Sequence, residues 1–561
     1  MPIIKDRIIV KNYKCFDDTG GGFDQIYPIN IIIGKNNSGK SSLIDLVQFI
    51  VNPNRAFIET GRDKSTSGVF ITHNLTEDDI ASAFRKRDRA SRNPKENDFE
   101  YGKMFIDTGY VYSIDEGNNK KYLKVEKDYL NVFLPHIESL LSRMQKPFIN
   151  KVFCNITAER DIVPEKRNKE MYFLPNGIGA TNYVHQIISR KGKNFNIIEK
   201  ELLEEINKIV KPDIEFTRIL TQDDDNEIWE LLFEDQEKKR IALSKMGSGL
   251  KTVLLVLLNL IVRPKIEEKK KSDYVFAFEE LENNLHPALQ RRLYQYIIDY
   301  REIHSSYFFL TTHSNIVIDA FSSYKYAQMM HVTNDKNKST TTTIFEYHEK
   351  DKILNDLGIK ASDLLQSNGI IWVEGPSDRN YLNRWIELTD SRLKEGFHYS
   401  IMFYGGRNLA NVSLDYDWIN KEIIPLLKIN KNAFVVIDRD GASEITPLNE
   451  TKERIRNEIG EDNCWVTAGR EIENYLSNET IINWLKSVYE FDANLKNDMD
   501  SKLEDNIVFA NDMIHFKYNS NKTRYSSEIR DFIDENSLYL YDLQKKLKIL
   551  VGFIKKWNSM E

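Results

Sequence analysis

The sequence predicts an α/β protein with a parallel β-sheet in its second half, and two features carry the α/β prediction. Short apolar stretches of strand length recur in both halves of the chain, each followed by a polar or glycine-rich segment and then a helical pattern. This alternation is typical of parallel sheets whose strands are joined by helices. The length of 561 residues exceeds what one ordinary hydrophobic core supports, so we expect two to four domains.

A glycine-rich loop follows one of the first predicted strands. Residues 8–11 and 29–33 are predicted as strands, residues 17–23 as a turn, and residues 42–51 as a helix. Between the second strand and the helix lies a full G-x-x-x-x-G-K-S motif, which places backbone amides and a helix N-terminus around phosphate oxygens. We expect ATP here, with Lys40 on the β- and γ-phosphates and Ser41 on Mg²⁺. The expected nucleotide-binding residues are Gly34, Asn36, Asn37, Ser38, Gly39, Lys40, Ser41 and Ser42.

Two acids end a later predicted strand, residues 274–278. We expect Glu279 to hold Mg²⁺ and Glu280 to polarise the attacking water. A further buried strand at 307–310 leads to His313, which is then placed to meet the γ-phosphate. Gly247, Ser248 and Gly249 precede a buried helix at 250–262 and form another anion-binding arrangement.

The order of phosphate loop, Gly-Ser-Gly, paired acids and histidine resembles an ABC-type ATPase of the RecF/SMC-like class. The opening Val10-Lys11-Asn12-Tyr13-Lys14-Cys15-Phe16 is similar to the start of those proteins, and Arg160-Asp161-Ile162-Val163-Pro164-Glu165 resembles a segment of their relatives. The resemblance implies a homodimer or a higher homo-oligomer, in which two heads sandwich two nucleotides. Ser248 and Gly249 of one head would then face the γ-phosphate held by Lys40 of the other.

Acids also follow the strands predicted in the second half, at 370–373, 399–404, 433–437 and 464–466. Because parallel strands end at a shared edge, Glu374, Asp438 and Asp440 should converge. Asp438 and Asp440 share a side if the backbone is extended, so both could reach one hard cation. An isolated D-x-D is more often a turn, but crowded carboxylates favour an Mg²⁺ or Mn²⁺ site for phosphodiester cleavage.

This set resembles a TOPRIM domain, and Glu471-Ile472-Glu473-Asn474-Tyr475 is similar to the TOPRIM-like segments of OLD-family nucleases and their antiphage relatives. The resemblance implies that Glu374 is an acid/base or metal ligand and that Asp438 and Asp440 are metal ligands. Further candidate ligands are Asp378, Glu471 and Glu473. These families also use a late lysine, for which Lys517 and Lys522 are both candidates.

Together these features predict an OLD-type, ATP-hydrolysing, metal-dependent endonuclease in antiphage defence. The expected order is an ABC-type head at 1–348 with a helical insertion within about 52–240, a connector at 349–368, a TOPRIM domain at 369–480 and a helical extension at 481–561. An ATP-dependent nucleic-acid clamp or sensor with an inactive TOPRIM domain is the alternative. A strand-passing or primase-type enzyme fits less well, because we find neither a zinc ribbon nor a separate domain with a nucleophilic tyrosine.

Composition and charge restrict the partners. The longest apolar run, 253–262, is about half of the ~20 residues that a membrane span needs, and no signal peptide opens the chain, so we expect a cytoplasmic protein. Cys15, Cys154 and Cys464 lack disulfide or zinc spacing.

The net charge of the protein is −7, so it would need local basic patches to bind nucleic acid (DNA, with tRNA or other RNA as the alternative). The candidate patches, each more often a solvated face, are 85–95, 190–193 and Lys545, Lys546, Lys548, Lys555 and Lys556. A defence-operon partner such as a retron complex is compatible with the sequence but not specified by it.

Overall fold

The computed structural model divides the chain into two compact units, Met1–Lys360 and Ala361–Glu561. The residues described are 3–53, 67–84, 99–115, 119–125, 140–142, 146–189, 195–223, 227–322, 324–335, 338–344, 368–403, 432–440, 447–489, 522–558 and 560. The basic runs 85–95 and 190–193, Lys517 and all of the connector but its last residue lie outside them. The three predicted domain boundaries stay predictions.

The strands and helices of the first unit are numbered along the chain. The strands are β1 (Arg7–Lys11), β2 (Gly21–Phe23), β3 (Ile29–Ile33), β4 (Gly68–Asn74), β5 (Gly109–Ile114), β6 (Lys120–Val125), β7 (Val152–Ile156), β8 (Glu165–Lys166), β9 (Phe216–Asp223), β10 (Ile228–Asp235), β11 (Arg240–Ala242), β12 (Tyr274–Glu279), β13 (Tyr307–Thr312), β14 (Ala327–Asp335) and β15 (Lys338–Ile344). The α-helices are α1 (Lys40–Val51), α2 (Glu77–Ala83), α3 (Phe99–Gly102), α4 (Ala180–Ser189), α5 (Leu203–Val210), α6 (Ser248–Leu257), α7 (Arg263–Ile266), α8 (Pro287–His304) and α9 (Asn315–Ser322). Two π-helical segments, Ile197–Leu202 and Leu258–Val262, adjoin α5 and α6.

A six-stranded sheet positions the predicted nucleotide residues. Its order is β15-β14-β3-β13-β12-β7, and all strands are parallel except β15, which pairs antiparallel to β14. Strands β3, β13 and β12 are direct neighbours and consist almost wholly of buried residues. The phosphate loop, His313 and the paired acids follow their carboxyl ends, so the sheet brings all three to one edge.

Two antiparallel sheets complete the first unit, with orders β2-β1-β4-β5-β6 and β11-β10-β8, where β9 also pairs with β10. The turn predicted at 17–23 is partly wrong, because Gly21–Phe23 is a strand paired with β1. Glycine is needed there, since a Cβ on Gly22 would lie 2.0 Å from the Ile8 carbonyl oxygen. The segment 52–240 is not only helical either: β4 to β10 lie within it.

The second unit contains a wholly parallel sheet of order β17-β16-β18-β19. Its strands are β16 (Ile370–Val373), β17 (Ser400–Phe403), β18 (Ala433–Ile437) and β19 (Cys464–Val466). Its α-helices are α10 (Pro376–Thr389), α11 (Glu450–Ile459), α12 (Asn478–Tyr489), α13 (Lys522–Ile529) and α14 (Leu543–Trp557). The C-terminal helices share a hydrophobic core with the sheet, which includes the fully buried Trp385, Trp465 and Trp484.

The α/β fold class is therefore confirmed, with one parallel-sheet unit in each half of the chain. The predicted buried helix is also confirmed: the run from Val253 to Val262 lies in α6 and the adjoining π segment, and every residue in it is buried. Within the described ranges, no helix combines the length and apolarity needed to cross a membrane.

Candidate functional sites

The phosphate loop has the conformation that its glycines predict. It joins β3 to α1, and Gly39 sits just before the helix with φ of 116°, a left-handed conformation that favours glycine. At Gly34 the reason is close packing, because a Cβ would lie 2.3 Å from the Val332 carbonyl oxygen. Ser38 and Lys40 are buried, whereas Asn36 and Asn37 are exposed. The loop can therefore present backbone amides to an anion at the N-terminus of α1.

Lys40 lies at the centre of the predicted nucleotide site. Its Nζ donates to the carbonyl oxygens of Gly34 (2.9 Å) and Lys35 (3.3 Å). The same atom lies 2.7 Å from His313 Nε2 and 3.6 Å from Glu280 Oε1. Burial lowers the pKa of Lys40, and the nearby Glu280 opposes that shift. An ammonium group held in this way is positioned to exchange its protein partners for phosphate oxygens.

Ser41 and Glu279 meet at the same edge of the sheet. The Ser41 hydroxyl donates a 2.7 Å hydrogen bond to Glu279 Oε2. Burial raises the pKa of Glu279, although this hydrogen bond opposes the shift. Hydroxyl and carboxylate oxygens are the ligands that Mg²⁺ takes beside nucleotide phosphates, so this pair fits the ion that the ATP site implies.

Glu280 combines an ionised side chain with an unusual backbone. Its φ is 45°, in the left-handed region that residues other than glycine seldom adopt. Its carboxylate is hydrogen-bonded to His313 Nε2 (2.9 Å) and accepts from Asn283 Nδ2 (3.1 Å). The hydrogen bond with His313 is the main cause that lowers the pKa of Glu280 to about 2. The carboxylate is therefore available as a proton acceptor at neutral pH.

Glu282 holds His313 in place and was not predicted as a site residue. Its buried Oε1 accepts hydrogen bonds from Thr312 Oγ1 (2.7 Å) and from the backbone amide of His313 (2.8 Å), while Oε2 accepts from the Tyr294 hydroxyl (3.0 Å). One indication of this role was present in the sequence: Glu282 is a third acid, two residues after Glu280 and before α8 begins. Its role depends on contacts with β13 that spacing alone does not reveal.

The Gly-Ser-Gly segment opens α6 as predicted. Gly247 is the N-cap, and Gly247 and Ser248 are exposed, whereas Gly249 packs against Leu285. No hydrogen bond among the described residues joins this segment to Lys40. The exposed N-terminus of α6 therefore remains open to an anion from outside this chain's own phosphate loop.

Carboxylates converge at the carboxyl edge of the second sheet, as expected. Glu374 follows β16, Asp438 follows β18, and Glu471 and Glu473 follow β19. Asp378 lies in the first turn of α10, where it is buried and accepts from the Gly375 amide at 2.9 Å.

These acids are close enough to affect one another's ionisation. Burial, followed by the charges of Asp378, Glu473 and Glu374, raises the pKa of Asp438 well above its usual value. Burial likewise raises the pKa of Glu473 to about 7 and that of Asp378 to about 6. Glu374 Oε2 is buried and has no hydrogen-bond partner. A cluster of carboxylates in which one buried oxygen accepts no hydrogen bond fits a hard divalent cation.

Two lysines lie among these carboxylates. Lys452 Nζ, from α11, donates to the Asp438 carbonyl oxygen at 2.7 Å, contacts the Asp440 carboxylate and lies 3.8 Å from Glu374 Oε2. Lys522 contacts the Glu471 carboxylate and lies 3.6 Å from Glu473. Lys522, one of the two predicted late lysines, is thus at this site, whereas Lys452 was not predicted. Its only signal was a lysine in the first turn of a helix.

The expected geometry of Asp438 and Asp440 is wrong in one respect. Asp440 has φ of 60°, so the D-x-D segment is not extended, and the Asp440 carboxylate turns to Lys452. In the described part of the chain, no three His, Cys, Asp or Glu side chains are arranged as a preformed metal site. The turned Asp440 and the lack of a preformed site agree with each other. The ammonium groups of Lys452 and Lys522 lie between carboxylates that a bound metal ion would bring together.

The C-terminal lysines lie on α14 in two environments. Lys545, Lys548 and Lys556 are exposed at helical spacing, and among described residues they form no ion pair, whereas Lys555 pairs with Asp390 at 2.9 Å. The N-terminal end of α14 lies beside the segment that carries Glu471 and Glu473. The Tyr475 hydroxyl in that segment donates to Asp542, the residue just before α14.

The sequence was compared with protein families, curated proteins and solved structures. The profile of the family described as AAA ATPase domain matches residues 4–175 and 178–318, more than half of the chain. No curated protein matches. Similar solved structures include an SMC head bound to the C-terminal winged-helix domain of ScpA (14% identity, 62% of this chain, 100% of that chain, TM-score 0.34). They also include an SMC head from Pyrococcus furiosus bound to the C-terminal domain of ScpA (13% identity, 64% of this chain, 100% of that chain, TM-score 0.32). A third is the C-terminal region of the Burkholderia pseudomallei OLD protein (16% identity, 34% of this chain, 98% of that chain, TM-score 0.25). All three TM-scores are low.

Proposed function

The chain belongs to the AAA ATPase domain family, and on this premise we propose that it is an ATP-hydrolysing, divalent-metal-dependent endonuclease of the OLD type. The observation that carries the nuclease half is the convergence of Glu374, Asp378, Asp438, Glu471 and Glu473 at one edge of a parallel sheet. The ATPase half is supported by the contacts among Lys40, Ser41, the paired acids and His313.

In the proposed ATPase cycle, Lys40 binds the β- and γ-phosphates and Ser41 and Glu279 hold Mg²⁺. Glu280, whose carboxylate is ionised at neutral pH, would accept a proton from the attacking water. His313, hydrogen-bonded to Glu280 and placed by Glu282, orients that carboxylate toward the γ-phosphate. The Gly-Ser-Gly segment of a second copy supplies the remaining phosphate contact, which makes the working unit a homodimer of heads.

In the proposed nuclease centre, Mg²⁺ or Mn²⁺ would be held by Glu374, Asp438 and Asp440, with Asp378, Glu471 and Glu473 around them. The bound ion would supply charge stabilisation and a more acidic water for phosphodiester hydrolysis. Lys522 is beside these acids and would contact the scissile phosphate.

Nucleic acid is the proposed substrate, and DNA is preferred over tRNA or other RNA. Its backbone would bind partly on the exposed face of α14 that carries Lys545, Lys548 and Lys556. ATP would control head dimerisation and thereby the access of nucleic acid to the carboxylates. An antiphage role, alone or with a defence-operon partner such as a retron complex, follows from the resemblance to OLD nucleases.

One observation favours the second candidate function, an ATP-dependent nucleic-acid clamp with an inactive nuclease centre. Lys452 and Lys522 already contact acids of the cluster, and this partial neutralisation needs no metal ion. In a clamp these lysines would be permanent structural partners.

The deciding experiment is an incubation of the purified protein with plasmid, single-stranded DNA and tRNA. Each substrate is tested with Mg²⁺, with Mn²⁺ and with EDTA, in the presence and absence of ATP. Metal-dependent cleavage of any substrate supports the nuclease. ATP-dependent retention of intact nucleic acid, with no cleavage under any condition, supports the clamp.

A further inference from the structure

Arg160 and Asp161, just after β7, make contacts that the proposed reaction does not yet use. The half-buried Arg160 guanidinium donates to four carbonyl oxygens in two neighbouring segments. NH1 reaches Thr157 (3.0 Å), Ala158 (3.1 Å) and Glu279 (2.9 Å), and NH2 reaches Glu280 (3.0 Å). Arg160 thus binds the backbone carbonyl groups of both paired acids.

This backbone is where Glu280 adopts its left-handed φ of 45°. Such a conformation is strained and persists only where the surroundings enforce it. The Glu280 amide donates to the Thr311 carbonyl oxygen at 3.0 Å, and its carbonyl accepts from Arg160. The orientation of the proposed general base is therefore set from two sides, one of which is Arg160.

The same dipeptide also contacts α6, the helix that opens with the exposed Gly-Ser-Gly segment. Arg160 Nε donates to Thr252 Oγ1 at 3.1 Å. The Asp161 carboxylate pairs with Lys251 Nζ at 2.7 Å. Both partners lie in the first turns of α6, within four residues of Ser248. A displacement of this end of α6 must therefore displace Arg160 or break these contacts.

We propose that Arg160 is a positioning residue that couples the N-terminus of α6 to the backbone of Glu280. An anion bound at Gly247-Ser248-Gly249 shifts or rigidifies α6, and Arg160 transmits this to the orientation of the Glu280 carboxylate. This inference rests on the proposed ATPase function and deepens it, because it makes turnover depend on what occupies the exposed end of α6. Lysine cannot replace Arg160, since only the planar guanidinium fork reaches Thr252 and the carbonyls of both acids together.

The test compares Arg160→Lys with a matched control, Arg301→Lys. Arg301 is buried and lies in α8, where it bonds the Tyr324 hydroxyl and stacks on Tyr326. In Arg160→Lys we expect unchanged ATP affinity and a kcat lower by about 10²-fold, the cost of a small misplacement of a catalytic group. Thr252→Val should lower kcat in the same way, and the double variant should lose less than the product of the two single losses. Equal losses in kcat and ATP affinity, or an equal kcat loss in Arg301→Lys, would overturn the proposal.

Hydrogen–deuterium exchange on the same variants tests the coupling without turnover. Arg160→Lys should increase amide exchange both at residues 280–283 and at residues 248–252, and Arg301→Lys should leave both segments as in the parent. Faster exchange in only one of the two segments would contradict the coupling. If the parent binds ATP but does not hydrolyse it, the ATPase proposal fails, and the exchange data still decide the coupling.

Discussion

The Ser41 hydroxyl lies 2.7 Å from the Glu279 carboxylate, although the two residues are separated by more than two hundred positions in the chain. They meet because β3 and β12 both flank β13 in one parallel sheet. The sheet thus joins the end of the phosphate loop to the first of the paired acids, and the second acid, Glu280, comes within 3.6 Å of Lys40. The predictions for the ATPase follow from this arrangement.

Lys40→Ala is expected to abolish ATP binding. The Lys40 ammonium group is the cation proposed to bind the phosphates, and its loss would remove charge-assisted hydrogen bonds worth about 1.5–3 kcal/mol each. Isothermal titration calorimetry with ATP and Mg²⁺ measures the effect. Lys35→Ala is the control, because Lys35 is exposed and only its backbone carbonyl contacts Lys40. An unchanged affinity in Lys40→Ala would disprove the nucleotide site.

Glu280→Gln is expected to bind ATP as the parent does but to hydrolyse it about 10²- to 10⁴-fold more slowly, the usual contribution of a general base. The amide keeps the size and shape of the side chain and one oxygen that accepts a hydrogen bond, but it cannot accept the proton. Single-turnover phosphate release at saturating ATP measures this. Hydrolysis near the parent rate would assign the general base to another residue.

Lys452→Met is expected to tighten Mn²⁺ binding at the carboxylate cluster. In the parent, a divalent ion must displace an ammonium group from the Asp440 carboxylate and the Asp438 carbonyl oxygen, whereas in the variant it need not. Calorimetric Mn²⁺ titration measures the change, with the exposed Lys486→Met as control. Weaker Mn²⁺ binding in Lys452→Met would show that the lysine supports the metal site instead of competing for it.

His73 should make the stability of the first unit depend on pH at the alkaline end. Burial opposes protonation, but hydrogen bonds with Asp6 and Asp79 raise the pKa of His73 from 6.5 to about 9. A raised folded-state pKa means that the stabilisation is complete below about pH 6.5 and is lost as pH rises through 9. The shift corresponds to at most about 3 kcal/mol.

Thermal unfolding between pH 6 and 10 tests this prediction. The Tm advantage of the parent over His73→Gln should be largest near pH 6 and should shrink through pH 9. His304→Gln is the control, because burial lowers the pKa of His304 and no charge is lost there at alkaline pH. A Tm difference that stays constant across the range would refute the ion-pair account.

Elements with strong local signals were predicted from sequence. The bounds of β3, β16, β18 and β19 agree with those predicted, because each is an apolar run ended by polar or glycine residues. The convergence of the acids also followed, since parallel strands place their carboxyl ends at one edge. The strand at Gly21–Phe23 was missed because its glycines look like a turn, and they are tolerated there through close pairing with β1.

The residues missed at the sites are those that act through tertiary contacts. Arg160, Glu282 and Lys452 each contact elements far away in sequence, and none belongs to a motif whose spacing reports its partners. Asp440 shows the same limit for backbone conformation: alternation predicted an extended D-x-D, but the chain turns through a left-handed residue whose amide donates to the Arg470 carbonyl oxygen. Local pattern therefore gave the edges of the sheets, and packing determined which side chains meet there.

The most direct test of the central claim is nucleic-acid cleavage by the double variant Asp438→Ala with Asp440→Ala, measured beside its ATP hydrolysis. With Mg²⁺ or Mn²⁺ present, the parent should cleave and the double variant should show only background cleavage while hydrolysing ATP at the parent rate. This result would separate an ATPase centre at Lys40 and Glu280 from a nuclease centre at the second sheet. Cleavage by the double variant at the parent rate would contradict the account, because the phosphodiester chemistry would then lie elsewhere.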